Sequence, residues 1–275
     1  IYGGIAAKIV GIKSIAVVTG LGYAFINKGL VRAMMTWLYR ISGGFHQKFI
    51  FENIEDRELF AELGIVSGDR AVSVKGCGVD TTWYHPYPNG QVKDKTIFTF
   101  IGRLLYDKGI REFVEAARQI KANLQDVAFW VVGELDAENP ATIDKDDLIK
   151  WVEEDIIYYH GFVKDVRPII AESDCIVLPS YREGLPRIIL EGMSMSKPVI
   201  TTLSAGCSET VDVGLNGFLV EIRNVEALKE AFIHFMHLSY QQRSAMGMAG
   251  RDKAINEFDD KKIAIEIFNL VDGQL

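Results

Sequence analysis

Short apolar runs alternate along this chain with longer stretches whose apolar positions return every three or four residues. That alternation is the rhythm of βαβ units feeding a parallel sheet. In the first part it predicts helices over 3–10, 29–41 and 56–63 and strands over 14–19, 48–51 and 71–75. The stretch from Gly78 to Gly90 follows, and its prolines and glycines break helix and strand alike, so it reads as a loop or linker. A second series then predicts strands over 96–104, 128–132, 156–160, 175–179, 198–202 and 218–220. Its helices fall over 109–123, 166–171, 186–195, 225–238, 240–257 and 261–271. The expected fold is α/β with two doubly wound, Rossmann-like domains, a first over 1–88 that is incomplete and a second over 89–275. The last helix is expected to pack back toward the first domain.

Composition narrows the class. Apolar residues make up 48% and charged residues 24% of the 275, the balance of a folded chain. No apolar run reaches the ~18 residues a membrane span needs. Cys77, Cys175 and Cys207 lie far apart without metal-like spacing, which favours reduced thiols and a cytoplasmic setting. The chain starts at Ile1 without a leader-like segment and reads as if it begins in mid-domain. The net charge of −7 conceals an asymmetry: Lys8, Lys13, Lys28, Arg32, Arg40 and Lys48 precede Glu52, the first acid. A basic front on an acidic body suits an anionic surface or substrate near the first segment, although chance placement on a solvated face reads the same way. Nucleic acid is not an expected partner.

Two stretches carry chemistry. In Ser180-Tyr181-Arg182-Glu183-Gly184-Leu185-Pro186-Arg187-Ile188-Ile189-Leu190-Glu191 a strand ends in a polar loop and a helix opens near Pro186. The carboxyl end of a parallel strand meeting a helix amino terminus is where α/β sheets place ligands, and free N–H groups there suit phosphate. Glu183 and Glu191 could bond different hydroxyls of one extended ligand; alone, they read equally as a helix-terminal charge and a surface glutamate. In Phe100-Ile101-Gly102-Arg103-Leu104-Leu105-Tyr106-Asp107-Lys108-Gly109 a strand delivers Gly102 and Arg103 to a sheet edge, and Lys108 opens the next helix. Two fixed cations there could hold a diphosphate and neutralise the charge that develops as it leaves. Taken singly they are also ordinary loop charges.

These motifs in register, with Tyr159-His160-Gly161-Phe162-Val163, Lys197-Pro198-Val199-Ile200 and Asn216-Gly217-Phe218-Leu219-Val220, resemble glycosyltransferase family 4 across essentially all of 78–275. The resemblance implies the two-domain GT-B plan and a retaining transfer of sugar from a nucleotide-diphosphate sugar, expected to be a UDP-sugar. It implies that Arg103 and Lys108 contact the diphosphate and that Glu183 contacts the donor sugar near the reacting carbon. Glu191 would hold the ribose, the backbone of Gly184, Leu185, Pro186 and Arg187 would face sugar and phosphate, and Phe162 with Val163 would lie at the base. Glu183, Arg103 and Lys108 are thus the expected catalytic groups, with Gly102 beside them. Such a site usually works without a metal or other cofactor. The Asp144-Lys145-Asp146-Asp147 cluster lies away from the donor motifs and reads as a helix-starting, solvated acidic group.

In the first segment, Thr19-Gly20-Leu21-Gly22-Tyr23-Ala24-Phe25 lacks the third glycine and the later acid of a dinucleotide fingerprint. Gly20, Gly22 and Tyr23 are expected on the acceptor side of a cleft. With Ile1-Tyr2-Gly3-Gly4 this loop is similar to a branch that extends undecaprenyl-diphosphate-linked glycans. That likeness implies a glycan or polyprenyl-diphosphate-linked acceptor and peripheral attachment to the inner face of the cytoplasmic membrane. Helix 29–41, carrying Arg32, Arg40, Met34, Met35, Trp37 and Tyr39, fits such a surface, and it also fits an amphipathic helix with its aromatics in the core. Two rival functions stand beside the transferase: a UDP-sugar 2-epimerase on the same scaffold, and a non-catalytic nucleotide-sugar-binding module.

Overall fold

The computed structural model describes residues 1–26, 29–87, 94–136 and 138–272, without the side chains of Tyr23 and Ile26. The first unit runs α1 (Tyr2–Val10), β1 (Ile15–Val18), α2 (Tyr23–Ile26), α3 (Leu30–Gly43), β2 (Lys48–Phe51), α4 (Ile54–Glu62) and β3 (Ala71–Ser73). Its strands form a parallel sheet in the order β1-β2-β3. The apolar run of β2 makes it the central strand, and Phe49 and Phe51 pack with Phe60 of α4 as the centre of a small core.

The second unit follows with β4 (Thr96–Ile101), α5 (Ile110–Lys121), β5 (Val127–Val132), α6 (Lys145–Glu153), β6 (Tyr158–Gly161), α7 (Arg167–Glu172) and β7 (Cys175–Leu178). After these come α8 (Arg187–Ser194), β8 (Val199–Thr202), β9 (Gly217–Val220), α9 (Val225–His237), α10 (Tyr240–Glu257) and α11 (Asp260–Asp272). The sheet is parallel throughout, in the order β6-β5-β4-β7-β8-β9. Strands covered by helices on both faces read as continuous apolar runs, as Ile97–Ile101 and Cys175–Leu178 do. Phe98 and Phe129 stack on the sheet, and Phe232 and Phe235 of α9 close over Phe98. Both units have the α/β, parallel-sheet build expected of a GT-B chain.

The topology already marks a place for ligand. From β4 the chain winds outward through β5 and β6, then returns to β7 on the other side of β4 and winds away through β8 and β9. The carboxyl ends of β4 and β7 therefore flank the switch point, where neighbouring loops part and leave a crevice.

Three details differ from expectation. β4 stops at Ile101 instead of 104; Gly102 still donates to the Val132 carbonyl at 2.9 Å, and the chain then turns through a 3-10 turn at Tyr106–Lys108. The one-turn α2 was not expected, and α6, whose start the acidic 144–147 cluster does supply as expected, was missing from the periodicity. α6 starts within the polar 144–147 run and buries only Leu148 and Trp151, so its apolar face is too narrow to read as a stripe. The expected boundary at 88 and 89 lies outside the described residues. Before it, the link between the sheets is tied to the end of the chain. Val79 donates to Phe258, Asp260 donates to Val79, and the Thr81 hydroxyl donates to Asp259 at 2.6 Å.

Candidate functional site

At the switch point, the Nζ of Lys108 lies 2.6 Å from Oε1 of Glu183. Both side chains are sheltered, 18% and 14% exposed. A charge pair this far from water attracts more strongly than a surface pair, because little solvent screens it. The local backbone explains the approach. Gly109 sits at φ 75° against the carbonyl of Pro179, where any side chain would collide, so the turn bearing Lys108 presses directly on the end of β7. The amide of Tyr181 and the hydroxyl of Ser180 both donate to the Asp107 carbonyl, at 2.8 and 3.1 Å. These bonds lace the loops that carry Lys108 and Glu183 into one rim.

Two cavities meet at this ion pair. The one against α8, about 510 Å³, is lined by Gly102, Arg103, Lys108, Glu183, Arg187 and Glu191, together with Tyr84, Pro186 and Val166. All four charged groups expected to surround a diphosphate-linked sugar thus face one space. The other, about 670 Å³, opens toward the first unit and is lined by Gly20 and Gly22 as well as Tyr106, Tyr181, Gly184 and Arg223. Arg103, Lys108 and Glu183 border both. Arg103 is 57% exposed and only 3.5 Å from Asp136, a loose pair that leaves its guanidinium available.

Glu191 is buried on α8, with Arg187 3.7 Å away. Burial raises its pKa, while Arg187 and the Tyr84 hydroxyl pull it back down. Tyr84 is pushed up to about 12 by burial and then by the negative charge of Glu191, to which its hydroxyl bonds. Its backbone carbonyl accepts from the Ser194 hydroxyl, which ties this stretch of chain to the end of α8. Tyr84 was not singled out by the sequence, where it sat within an apparent linker. It lines the cavity against α8 beside Glu191.

The first unit holds the Glu183 loop directly. Asn53 caps α4 by accepting from Asp56, and its amide also donates to the carbonyls of Gly184 at 2.8 Å and Glu183 at 3.3 Å. The fully buried Asp56 pairs with Arg182. Burial raises Asp56, and Arg182 opposes that rise; Glu52 is raised by burial and by Asp56. Gly184 has no room for a side chain because Glu52 and the Thr19 carbonyl lie against it, and Gly20 faces it from the same loop. The amide of Leu185, expected toward sugar and phosphate, instead donates to Glu52, and the Leu185 side chain is buried against Gly76. The residue is drawn out of the donor crevice by apolar burial at the interface.

Of the remaining expected residues, Phe162 and Val163 follow β6 and line neither cavity. Phe162 is 68% exposed and Val163 packs on the core, while Val166 supplies that loop's wall. Tyr23 opens α2, and its side chain lies outside the described residues. The acidic 144–147 group starts α6, with Asp147 3.3 Å from Arg111. Among the described residues no cluster of metal-ligating side chains occurs.

Comparison with known proteins identifies the family and the fold. The family model described as glycosyl transferases group 1 matches residues 95–237. A Campylobacter jejuni N,N'-diacetylbacillosaminyl-diphospho-undecaprenol alpha-1,3-N-acetylgalactosaminyltransferase is 29% identical over 230 residues, 78% of this chain and 59% of that protein. An Escherichia coli UDP-Gal:alpha-D-GlcNAc-diphosphoundecaprenol alpha-1,3-galactosyltransferase is 27% identical over 282 residues, 98% of this chain and 72% of that protein. The chain spans 59% and 60% of the Campylobacter protein and of Staphylococcus aureus CapM, a capsular polysaccharide glycosyltransferase. Among solved structures, Anabaena HepE in complex with UDP superposes with a TM-score of 0.84 at 19% identity, over 98% of this chain and 75% of that one. That likeness establishes the shared fold. The chain belongs to the group 1 glycosyl transferases.

Proposed function

We propose that the protein is a retaining glycosyltransferase that moves a sugar from a UDP-sugar to a polyprenyl-diphosphate-linked saccharide. The observation that carries this reading is the Lys108–Glu183 pair, set between a donor-sized cavity and a cleft shared with the first unit. Arg103 and Lys108 meet the donor diphosphate and stabilise the charge that builds on it as the glycosidic bond breaks, in place of a metal ion. Glu183 lies where the donor sugar joins the diphosphate, and Glu191 takes the ribose hydroxyls. The acceptor hydroxyl enters from the larger cleft, on the face that the leaving group vacates. Support for the acceptor class comes from the activities by which the Campylobacter and Escherichia relatives are named.

The same reading places the protein on the inner face of the cytoplasmic membrane. Among the described residues no helix is long and apolar enough to cross a bilayer. α3, however, turns Leu30, Met34, Trp37 and Ile41 outward, Leu30 at 89% and Trp37 at 60% exposure. These positions form one helical stripe, on a segment without an acid before Glu52. An apolar stripe with flanking cations suits an interface of anionic lipid. A nucleotide-sugar panel tests the core of the proposal. UDP-sugars should raise the melting temperature and give transfer to a prenyl-diphosphate-linked saccharide, whereas inversion of the sugar without an acceptor would instead support the epimerase.

A further inference from the structure

We propose that Arg223 binds the diphosphate of the acceptor, which makes it a specificity-determining residue on the second unit. The inference rests on the transferase reading above. Arg223 follows the edge strand β9 with φ 58°, a left-handed backbone that a non-glycine residue adopts only where its surroundings enforce it. Its neighbour Asn224 enforces it here by capping α9, accepting from Ala227 at 2.9 Å. The guanidinium then lies over the Tyr181 ring, 4.7 Å from its centroid. That ring is itself pinned, since the Tyr181 hydroxyl donates to Glu112 at 2.6 Å.

Charge accounting singles the residue out. Of the cations lining the larger cleft, Lys108 is paired with Glu183 and Arg182 with Asp56, while Arg103, loosely held by Asp136, is the one assigned to the donor diphosphate. Among the described residues Arg223 has no carboxylate partner. Arg223 also hydrogen-bonds the Tyr181 side chain, which fixes its position, and a guanidinium has five N–H donors, so others remain for the paired oxygens of a phosphate. Asp107 lines the same cleft and bears a buried Oδ1 without a hydrogen-bond partner, a ready acceptor for a sugar hydroxyl.

Arg223 enters the larger cleft from the edge of the sheet, since β9 lies three strands from β4, and its backbone is rooted ~14 Å from that of Arg103 at the usual strand spacing. Arg103 and Lys108 serve the donor. The second diphosphate in the proposed reaction is the one on the acceptor, which must occupy the larger cleft if its sugar is to reach Glu183.

The test uses the intact enzyme saturated with UDP, so that the donor site is blocked, and titrates it with farnesyl diphosphate or with neutral farnesol. Wild type should bind farnesyl diphosphate and show little affinity for farnesol. Arg223→Ala should lose roughly tenfold or more in affinity for farnesyl diphosphate, with Arg223→Lys intermediate and the UDP affinity unchanged in all three proteins. Equal affinity of wild type and Arg223→Ala for farnesyl diphosphate overturns the assignment, as does parallel loss of UDP binding. Failure of wild type to bind UDP at all would bring down the transferase reading, and this inference with it.

Discussion

The side-chain amide of Asn53 donates to the carbonyl of Gly184 at 2.8 Å, joining residues 131 positions apart and coming from different sheets. The loop that carries Glu183 is therefore shaped from outside its own unit. Asn53 is fully buried and also caps α4. Asn53→Ala should cost about 1–2 kcal/mol from the lost cap and the unsatisfied carbonyl, a fall of roughly 2–6 °C in melting temperature. It should also lower transfer. A variant that loses stability but keeps full kcat would show that the loop holds its shape unaided.

Removing the charge of Glu183 separates binding from chemistry. Glu183→Gln should retain UDP within a few-fold and lose transfer by roughly a hundredfold or more. Lys108→Ala should weaken UDP and transfer together. Calorimetry on UDP beside turnover measurements distinguishes them, and normal turnover in Glu183→Gln would remove the residue from the chemistry.

Tyr84 should act through Glu191. Tyr84→Phe deletes the hydroxyl that holds the buried carboxylate in its charged form, so the Glu191 pKa should rise further. The expected result is a several-fold higher KM for the nucleotide sugar with kcat nearly unchanged, and a penalty that deepens as the pH is lowered. An unaltered KM across that range would leave Tyr84 with packing alone.

The contact between the units should weaken as pH rises. Glu209 accepts from the Ile54 amide at 2.7 Å and lies beside the Glu55 carboxylate. Burial, and then Glu55, push its carboxyl from the ordinary 4.5 up to about 7. A carboxyl whose pKa is raised in the folded form favours that form most below its unfolded value. The advantage is lost as pH climbs through about 7. Melting temperature should fall between about pH 5 and about pH 8 in wild type, and the slope should flatten in Glu209→Gln. Identical slopes in the two proteins would place the titration elsewhere.

The outward stripe of α3 should govern attachment to lipid. Replacing Met34 and Trp37 together by Ser should reduce binding to vesicles of anionic phospholipid by roughly tenfold or more, without change in UDP affinity. Undiminished sedimentation with the vesicles would assign the stripe to another partner.

Much of this architecture was legible because the second sheet is buried on both faces. Its strands had to be continuous apolar runs, and the loops at its switch point had to carry the polar residues. Gly102, Arg103, Lys108, Glu183 and Glu191 could be picked out there, and they line one cavity. What could not be read were contacts made across the units. Asn53 and Asp56 lie in an ordinary helix start, and only their burial against the Glu183 loop reveals what they hold. Tyr84 likewise sits in a stretch whose prolines spoke of a linker. Leu185 was misplaced for the converse reason: a motif gives the order of residues but not which of them an adjoining apolar surface draws away.

Lys108 has three N–H donors and, before a donor sugar arrives, spends one of them on Glu183. Two donors remain for the oxygens of a ligand in either cavity, since Lys108 borders both. On the proposed reading, a phosphate that drew the ammonium toward itself would also draw it from Glu183, so the first substrate to arrive would change the charge that the second one meets.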